Sequence, residues 1–144
     1  MLKGRTWIRA AGLSVAVVAA VVVGVVVPAA PALAIPKDCS LTVVLINAPS
    51  ALNARGSVYC TRPETYWVET VIYRHDSLGR KVKVAEGETK YNGHQGWGYA
   101  HASEPCSDVQ TNKNYSARAF LYDARLVYPI EVKDATSSTV RGHC

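Results

Sequence analysis

The sequence lacks several motifs that would assign a chemistry to it. It has no Cys-x-x-Cys pair among its four cysteines, which disfavours a four-thiolate metal site. It has no nucleophile elbow and no recognisable catalytic triad, so a small extracellular hydrolase is the weakest of the functions considered. It has no heptad, solenoid period or low-complexity tract after residue 34. These absences exclude coiled-coil and repeat architectures and leave a small globular domain.

The N-terminal segment is typical of a secretory signal. Lys3, Arg5 and Arg9 form a basic start, residues 10–27 form an uncharged apolar run, and Ala32-Leu33-Ala34 offers a small-x-small cleavage site. The absence of an Arg-Arg pair favours the general secretory route over the twin-arginine route. Residues 1–34 are therefore predicted to be removed, leaving residues 35–144 as a single secreted, extracellular domain. An uncleaved anchor is the alternative, because the run is at the lower limit of a membrane span.

The charge balance changes when the signal is removed. The full chain has 16 Lys and Arg and 11 Asp and Glu, and three of the basic residues lie in the signal. The remainder is 13 against 11, a net charge of +2, so no nucleic-acid partner is expected. The densest basic cluster, Arg80, Lys81 and Lys83, is typical of a solvated strand. Because the signal is the only apolar stretch long enough for a membrane helix, no membrane association is expected after cleavage.

Strand patterns dominate the secreted part. Short runs rich in Val, Ile, Thr and aromatic residues alternate with turns, which predicts an all-β protein, an antiparallel β-sandwich of about seven strands. The predicted strands are 41–46, 56–60, 66–74, 80–86, 97–102, 115–122, 126–133 and 139–144. The glycine-rich stretch 93–98 is predicted to be a loop. Pro129 disfavours a central position for the 126–133 strand, because proline donates no ladder hydrogen bond.

The cysteine positions predict two disulfides. Cys39 begins the first strand and Cys60 ends the second, and the start of one antiparallel strand lies beside the end of the next. Cys106 precedes the 115–122 strand and Cys144 ends the last strand. We therefore predict the pairs Cys39–Cys60 and Cys106–Cys144. By chain entropy each would stabilise the fold by about 3–4 kcal/mol.

The order of these features resembles small secreted bacterial proteins with an immunoglobulin-like sandwich. In both, a signal is followed by an early cysteine pair, a late cysteine and a terminal cysteine. The segment Tyr115-Ser116-Ala117-Arg118-Ala119 is similar to the strand that carries the tyrosine corner in immunoglobulin domains. The inter-sheet cysteine that follows such a tyrosine by two residues is absent, because Ala117 stands there. The resemblance implies an immunoglobulin-like architecture and no particular activity.

Two strands predict an outer aromatic surface. Alternation places Tyr66, Val68, Thr70 and Ile72 on one face of the 66–74 strand and Trp67, Glu69, Val71 and Tyr73 on the other. Glu69 is costly to bury, so its face should meet solvent. In the 115–122 strand the corresponding outward residues are Ser116, Arg118, Phe120 and Tyr122. If the strands are neighbours, Trp67, Tyr73, Phe120 and Tyr122 share a surface and Glu69 lies near Arg118. The alternative is that residues 123–135 fold back over them.

The segment 91–101 is predicted to contact a ligand. It combines glycines with Tyr91, His94, Trp97 and Tyr99, and aromatic side chains give contact area at low entropy cost. The alternative is a flexible hairpin whose Trp97 plugs the edge of the core. A metal site would need His94, His101 and a glutamate, but no suitable His spacing exists, so no metal and no cofactor are expected.

These observations favour a binding function without catalysis. We predict a small disulfide-stabilised module that binds an extracellular protein or a cell-surface polysaccharide. The alternative is a secreted protease inhibitor, in which Arg55 or Arg62 near the first disulfide would be the specificity residue. Neither the ligand nor the oligomeric state follows from the sequence.

Overall fold

The computed structural model describes residues 38–144, so the predicted signal, residues 1–34, lies outside the described residues. The described part is all-β, with 73% of its residues in strands and no helix. Its six strands are β1 (Cys39–Asn47), β2 (Ala51–His75), β3 (Lys81–Pro105), β4 (Asn114–Asp123), β5 (Ile130–Thr136) and β6 (Val140–Arg141). Within this range there is accordingly no helix that could cross a membrane.

The two longest strands organise the sheet. The first half of β2, residues 51–60, pairs with β1 on one side and with residues 96–105 of β3 on the other. The second half of β2 pairs with the first half of β3 and with β4, and β4 pairs with β5. All these pairings are antiparallel. The result is one sheet that curls into a half-barrel.

The expected sandwich of about seven strands differs from this sheet in its strand count. The structure joins the predicted 56–60 and 66–74 strands into β2, and the predicted 80–86 and 97–102 strands into β3. β2 continues through Pro63 because the register of the β2–β3 ladder shifts between Cys60 and Glu64. A bulge of this kind leaves a residue without a ladder partner, so the missing N–H of proline is tolerated there. The predicted loop 93–98 is wrong, since β3 continues through it. Gly93 and Gly96 adopt positive φ and let the strand bend there.

The curled sheet encloses a core in two adjoining clusters. One cluster contains the buried residues Leu45, Leu52, Ala54, Ile72, Ala102, Val109, Tyr115 and Ala117. The other contains Cys39, Val58, Cys60, Tyr66, Val68, Ala100 and Leu121. The predicted inward faces are confirmed, because residues 66, 68, 70 and 72 of β2 and residues 115, 117, 119 and 121 of β4 are all fully buried. The predicted outward faces are wrong at Val71 and Ser116, which are each only 2% exposed.

Two disulfides join the strands in the predicted pattern. Cys39 and Cys60 are direct partners in the β1–β2 ladder and are bonded to each other. Cys106 and Cys144 form the second bond, and residues 38–144 contain no free cysteine. Two disulfides in a small domain are consistent with an oxidising, extracellular environment.

Candidate ligand-binding face

Three exposed aromatic side chains, Tyr59, Trp97 and Tyr99, lie together on the outward face of the sheet. Three adjacent strands contribute alternate side chains to this face, starting at residue 40 of β1, residue 53 of β2 and residue 97 of β3 and ending at residues 46, 59 and 103. We call this surface the Trp97 face. Its principal side chains are Val44, Arg55, Tyr59, Trp97, Tyr99 and His101. Tyr59 and Trp97 are direct cross-strand partners, as are Arg55 and His101.

The rings on the Trp97 face form a continuous row. The centroids of Tyr59 and Trp97 are 5.0 Å apart with the rings inclined at 53°, and those of Trp97 and Tyr99 are 6.2 Å apart with an interplanar angle of 7°. The ring of His101 follows at 6.4 Å from Tyr99. The Arg55 guanidinium lies over Tyr99, 5.5 Å from the ring centroid. Aromatic rings within this range contact one another and exclude water between them.

These rings remain accessible although they touch each other. Trp97 is 54% exposed and Tyr99 is 37% exposed, so the alternative in which Trp97 plugs the edge of the core is wrong. Val44 and Ile46 extend the exposed apolar area onto β1. Large exposed aromatic groups that lie together on a monomer mark interaction sites more often than isolated ones do.

Tyr91 and His94 support this face from behind. The Tyr99 N–H donates to the Tyr91 hydroxyl at 2.6 Å, and that hydroxyl donates to the Tyr99 carbonyl at 3.0 Å. The His94 Nε2 lies 2.8 Å from the Trp97 carbonyl oxygen. The Tyr91 ring stacks on the buried Tyr66 with centroids 4.9 Å apart. Of the four residues predicted to contact a ligand in 91–101, only Trp97 and Tyr99 therefore lie on the outward face.

The backbone between Trp97 and Tyr99 packs closely on the core residues beneath it. Gly98 lies between Trp97 and Tyr99, and a Cβ atom there would be 2.3 Å from the Tyr66 hydroxyl and 3.0 Å from the Tyr91 ring. The Tyr66 hydroxyl is buried and has no hydrogen-bond partner among residues 38–144. Burial and the neighbouring Tyr91 raise the pKa of Tyr66 to about 12. A tyrosine in this position acts as a spacer in the core rather than as an acid or base.

A shallow groove of about 290 Å³ opens at one end of the row. Ile46, Asn53, Arg55 and His101 line it. The Ser103 hydroxyl donates to Asn53 Oδ1 at 2.8 Å beside it. The groove thus combines a guanidinium and an imidazole with short polar groups at the edge of an apolar strip.

The second predicted aromatic surface exists on the opposite part of the sheet. Trp67 and Tyr122 are cross-strand partners, with centroids 5.1 Å apart, and Phe120 lies 6.4 Å from Tyr122. We call this surface the Trp67 face; its aromatic members, with Tyr73, are only partly exposed. Residues 130–136 pair edge to edge with β4, and the apolar side chains of Val127 and Ile130 are 91% and 54% exposed instead of buried over these rings.

Cations already occupy two of the rings on the Trp67 face. The Lys90 ammonium lies 4.8 Å from the Trp67 centroid, and the Arg118 guanidinium lies 4.8 Å from the Phe120 centroid. The rings of the Trp67 face are also less accessible than Trp97, which is 54% exposed. The Trp67 face is therefore a weaker candidate for ligand binding than the Trp97 face.

Glu69 and Arg118 lie on one face, as predicted, but each binds another partner. Arg118 Nη2 binds Asp134 of β5 at 2.8 Å, and Glu69 accepts a hydrogen bond of 3.1 Å from the Tyr122 hydroxyl. The two residues do share a face, as predicted, but they are diagonal neighbours rather than direct partners. Burial, followed by the hydrogen bond to Glu69, raises the pKa of Tyr122 to about 12.

The sequence did not indicate Tyr59 as a ligand contact, and it indicated Arg55 only as a specificity residue of the alternative protease inhibitor. The alternating pattern of β1 and β2 marks both as outward residues, but only the register places Tyr59 opposite Trp97. Arg55 lies in the first half of β2 with a strand on each side, and Arg62 forms an ion pair with Asp38 at 3.6 Å. Between residues 38 and 144, no group of three or more His, Cys, Asp or Glu is arranged to hold a metal ion.

Comparison with known proteins adds little to this description. No family model and no curated protein matches the sequence. The fold is similar to part of a penta-heme cytochrome c552 from Thermochromatium tepidum, with a TM-score of 0.45 and 10% sequence identity. The match covers 74% of this chain but only 40% of that one, and a similarity at this level gives no information about function.

Proposed function

We propose that this protein is a small secreted binding module whose Trp97 face contacts an extracellular protein or a cell-surface polysaccharide. One observation carries the proposal: Tyr59, Trp97 and Tyr99 form an exposed row of rings on the outside of a rigid sheet. Such rings would lose contact with water on binding without much loss of side-chain entropy, because they have few rotatable bonds. The two disulfides support an extracellular location for this function.

The proposal includes an immunoglobulin-like organisation of the fold. Dividing β2 near Pro63 and β3 at its glycine bend gives seven segments when β6 is set aside. They pair in two groups, 39–47 with 51–60 and 96–105, and 81–94 with 64–75, 114–123 and 130–136. A three-stranded group and a four-stranded group of this kind are typical of immunoglobulin-like sandwiches. An experimental structure would test the separation, since two layers require about 10 Å between facing groups.

Substitution of Trp97 tests the binding role. The protein is immobilised with its disulfides intact and incubated with solubilised cell-envelope material, and captured protein and carbohydrate are measured separately. Trp97→Ala should reduce capture about ten-fold, which corresponds to about 1.4 kcal/mol. Because Trp97 is more than half exposed, the melting temperature of the Trp97→Ala variant should stay close to that of the wild type.

Leu78→Ala is the matched control for this experiment. Leu78 is 76% exposed but lies in the turn between β2 and β3, away from the Trp97 face. Its substitution removes exposed apolar area without touching the row of rings, so capture should be unchanged. Equal loss of capture in the two variants, or a proportionate loss of stability in Trp97→Ala, would refute the proposal.

A further inference from the structure

The Trp97 face carries no acidic side chain, whereas the Trp67 face carries charges of both signs. The outward side chains of residues 40–46, 53–59 and 97–103 include one guanidinium, that of Arg55, and one imidazole, that of His101. They include no aspartate or glutamate. The Trp67 face instead has Glu69 directly opposite Glu88 in the β2–β3 ladder, with Glu86 nearby. Charge complementarity therefore predicts an anionic ligand for the Trp97 face.

Arg55 is available for that ligand. Four other arginines of the described chain each form an ion pair with an aspartate, whereas Arg55 forms none within residues 38–144. Its guanidinium instead lies over the Tyr99 ring, which holds it at the surface of the face. A planar guanidinium held in this way can bind a carboxylate through two parallel hydrogen bonds.

The shape of the face favours a sugar chain over an acidic peptide. Trp97 and Tyr99 lie on residues 96–105 of β3, whose ladder partner among the described strands is β2 alone. A peptide added to that edge would bind through backbone hydrogen bonds, whereas the rings project from the face of the sheet, where a sugar chain can lie across them. The centroid separations of 5.0 and 6.2 Å are comparable with the width of one pyranose ring. The C–H groups of such a ring would contact the electron-rich faces of the aromatic rings. Asn53 and Ser103 add short polar groups for hydroxyls at the groove.

We infer that the ligand of the Trp97 face is an acidic polysaccharide whose pyranose rings contact Tyr59, Trp97 and Tyr99 and whose carboxylate pairs with Arg55. This inference rests on the proposed binding function and deepens it by naming the class of ligand. His101, the cross-strand partner of Arg55, lines the same groove and adds a second nitrogen donor for the carboxylate. The rings supply affinity for the sugar, and Arg55 supplies the selectivity for its charge.

Pairs of charged and neutral polymers test the inference. The purified protein is titrated calorimetrically with polygalacturonate, alginate and hyaluronan, and with the carboxyl-reduced form of each. The wild type should bind at least one acidic polymer and bind its reduced form at least ten-fold more weakly. Arg55→Gln should bind both forms equally, whereas Trp97→Ala should lose affinity for both. Lys81→Gln removes the same charge from an exposed position at the start of β3 and should behave as the wild type.

The outcomes separate the inference from the proposed function. Equal binding of acidic and reduced polymers, or binding to none of them, would overturn the inference, while capture from cell-envelope material would still test the function. Tighter binding of poly-L-glutamate than of the polysaccharides would assign the face to an acidic peptide. A dimer that Trp97→Ala dissociates, observed by analytical ultracentrifugation without polymer, would show that a second copy occupies the face and would also refute it.

Discussion

The hydroxyl of Thr70 forms hydrogen bonds with the backbone of Gly56 in β2 and of Ala100 in β3. The Gly56 N–H donates to Thr70 Oγ1 at 3.1 Å, and the hydroxyl donates to the Ala100 carbonyl at 3.1 Å. Gly56 and Ala100 are partners in the β2–β3 ladder, so a side chain from the second half of β2 satisfies the backbone of its first half. A Cβ atom on Gly56 would lie 2.4 Å from this hydroxyl, which explains the glycine.

Removal of the Thr70 hydroxyl should destabilise the protein strongly. Thr70→Val keeps the shape of the side chain but leaves a buried N–H and a buried carbonyl without partners, which costs about 2–4 kcal/mol. Thr70→Ser is the matched control, since it keeps the hydroxyl and loses one methyl group, at a cost of about 1 kcal/mol. Urea unfolding of both variants measures the difference. Equal stability of the two would show that the hydroxyl makes no net contribution.

The two disulfides should differ in the rate at which they are reduced. Cys39 and Cys60 are buried at 2% and 0% exposure, whereas Cys144 is exposed and Cys106 is partly exposed. Reduction requires attack of a thiolate on a sulfur atom, so access controls the rate. Graded dithiothreitol followed by alkylation and peptide mapping should label Cys106 and Cys144 first. Cys106→Ala/Cys144→Ala is the control and should show no rapidly labelled thiol; early labelling of Cys39 or Cys60 would contradict the prediction.

The ion pair at the end of β4 should make stability depend on pH in the acid range. Arg125 binds Asp123 through Nε at 2.9 Å and Nη2 at 2.5 Å, and these bonds hold the pKa of the Asp123 carboxyl below its ordinary value. A lowered pKa in the folded state means that this stabilisation is present above pH of about 4, the unfolded value, and is lost as pH falls through the folded value.

Asp123→Asn isolates this contribution. At pH 7 the variant should be less stable than the wild type by about 1–2 kcal/mol. This loss lies at the lower end of what removal of a charged hydrogen bond costs, because the Arg125 side chain is one-third exposed to solvent. The difference should shrink as pH falls through the folded pKa of the Asp123 carboxyl, and it should vanish once that carboxyl is protonated in both states. Asp108→Asn, in the exposed connection before β4, is the matched control and should change stability by less than about 0.5 kcal/mol. A difference that persisted at low pH would contradict the assignment.

Gly87 should not tolerate any side chain, because the two halves of β3 touch there. A Cβ atom at Gly87 would lie 1.7 Å from the His101 carbonyl oxygen and 2.7 Å from its carbon, both backbone atoms. Gly87→Ala should therefore lower the free energy of unfolding by about 3 kcal/mol or prevent folding. Gly79→Ala is the control, since Gly79 has a positive φ of 76° but open space around it, and it should cost about 1 kcal/mol. Equal stability of the two variants would refute the close approach.

The local pattern of the sequence predicted the strand faces and the disulfides. Alternation along 66–74 and 115–122 predicted the eight inward residues, all fully buried, because side chains in a strand alternate wherever the strand ends. It did not predict the burial of Val71 and Ser116, which lie on the predicted outward faces. Cys39–Cys60 and Cys106–Cys144 followed from strand ends, since antiparallel neighbours place those ends together. The same pattern failed at Pro63 and at Gly93 and Gly96, where bulges and positive φ let the strands continue through apparent breaks.

The candidate site depended on register and on contacts between distant segments. Alternation marked Trp97 and Tyr99 as neighbours on one face, but Tyr59 and Arg55 joined them only because β2 pairs with β3 in one particular register. The partner of Arg118 was set in the same way, since Asp134 of β5 lies closer to it than Glu69 does. The sequence by itself determined which residues face outward, because that choice is local. The tertiary structure decided which outward residues meet, because their separation along the chain places no limit on their distance in space.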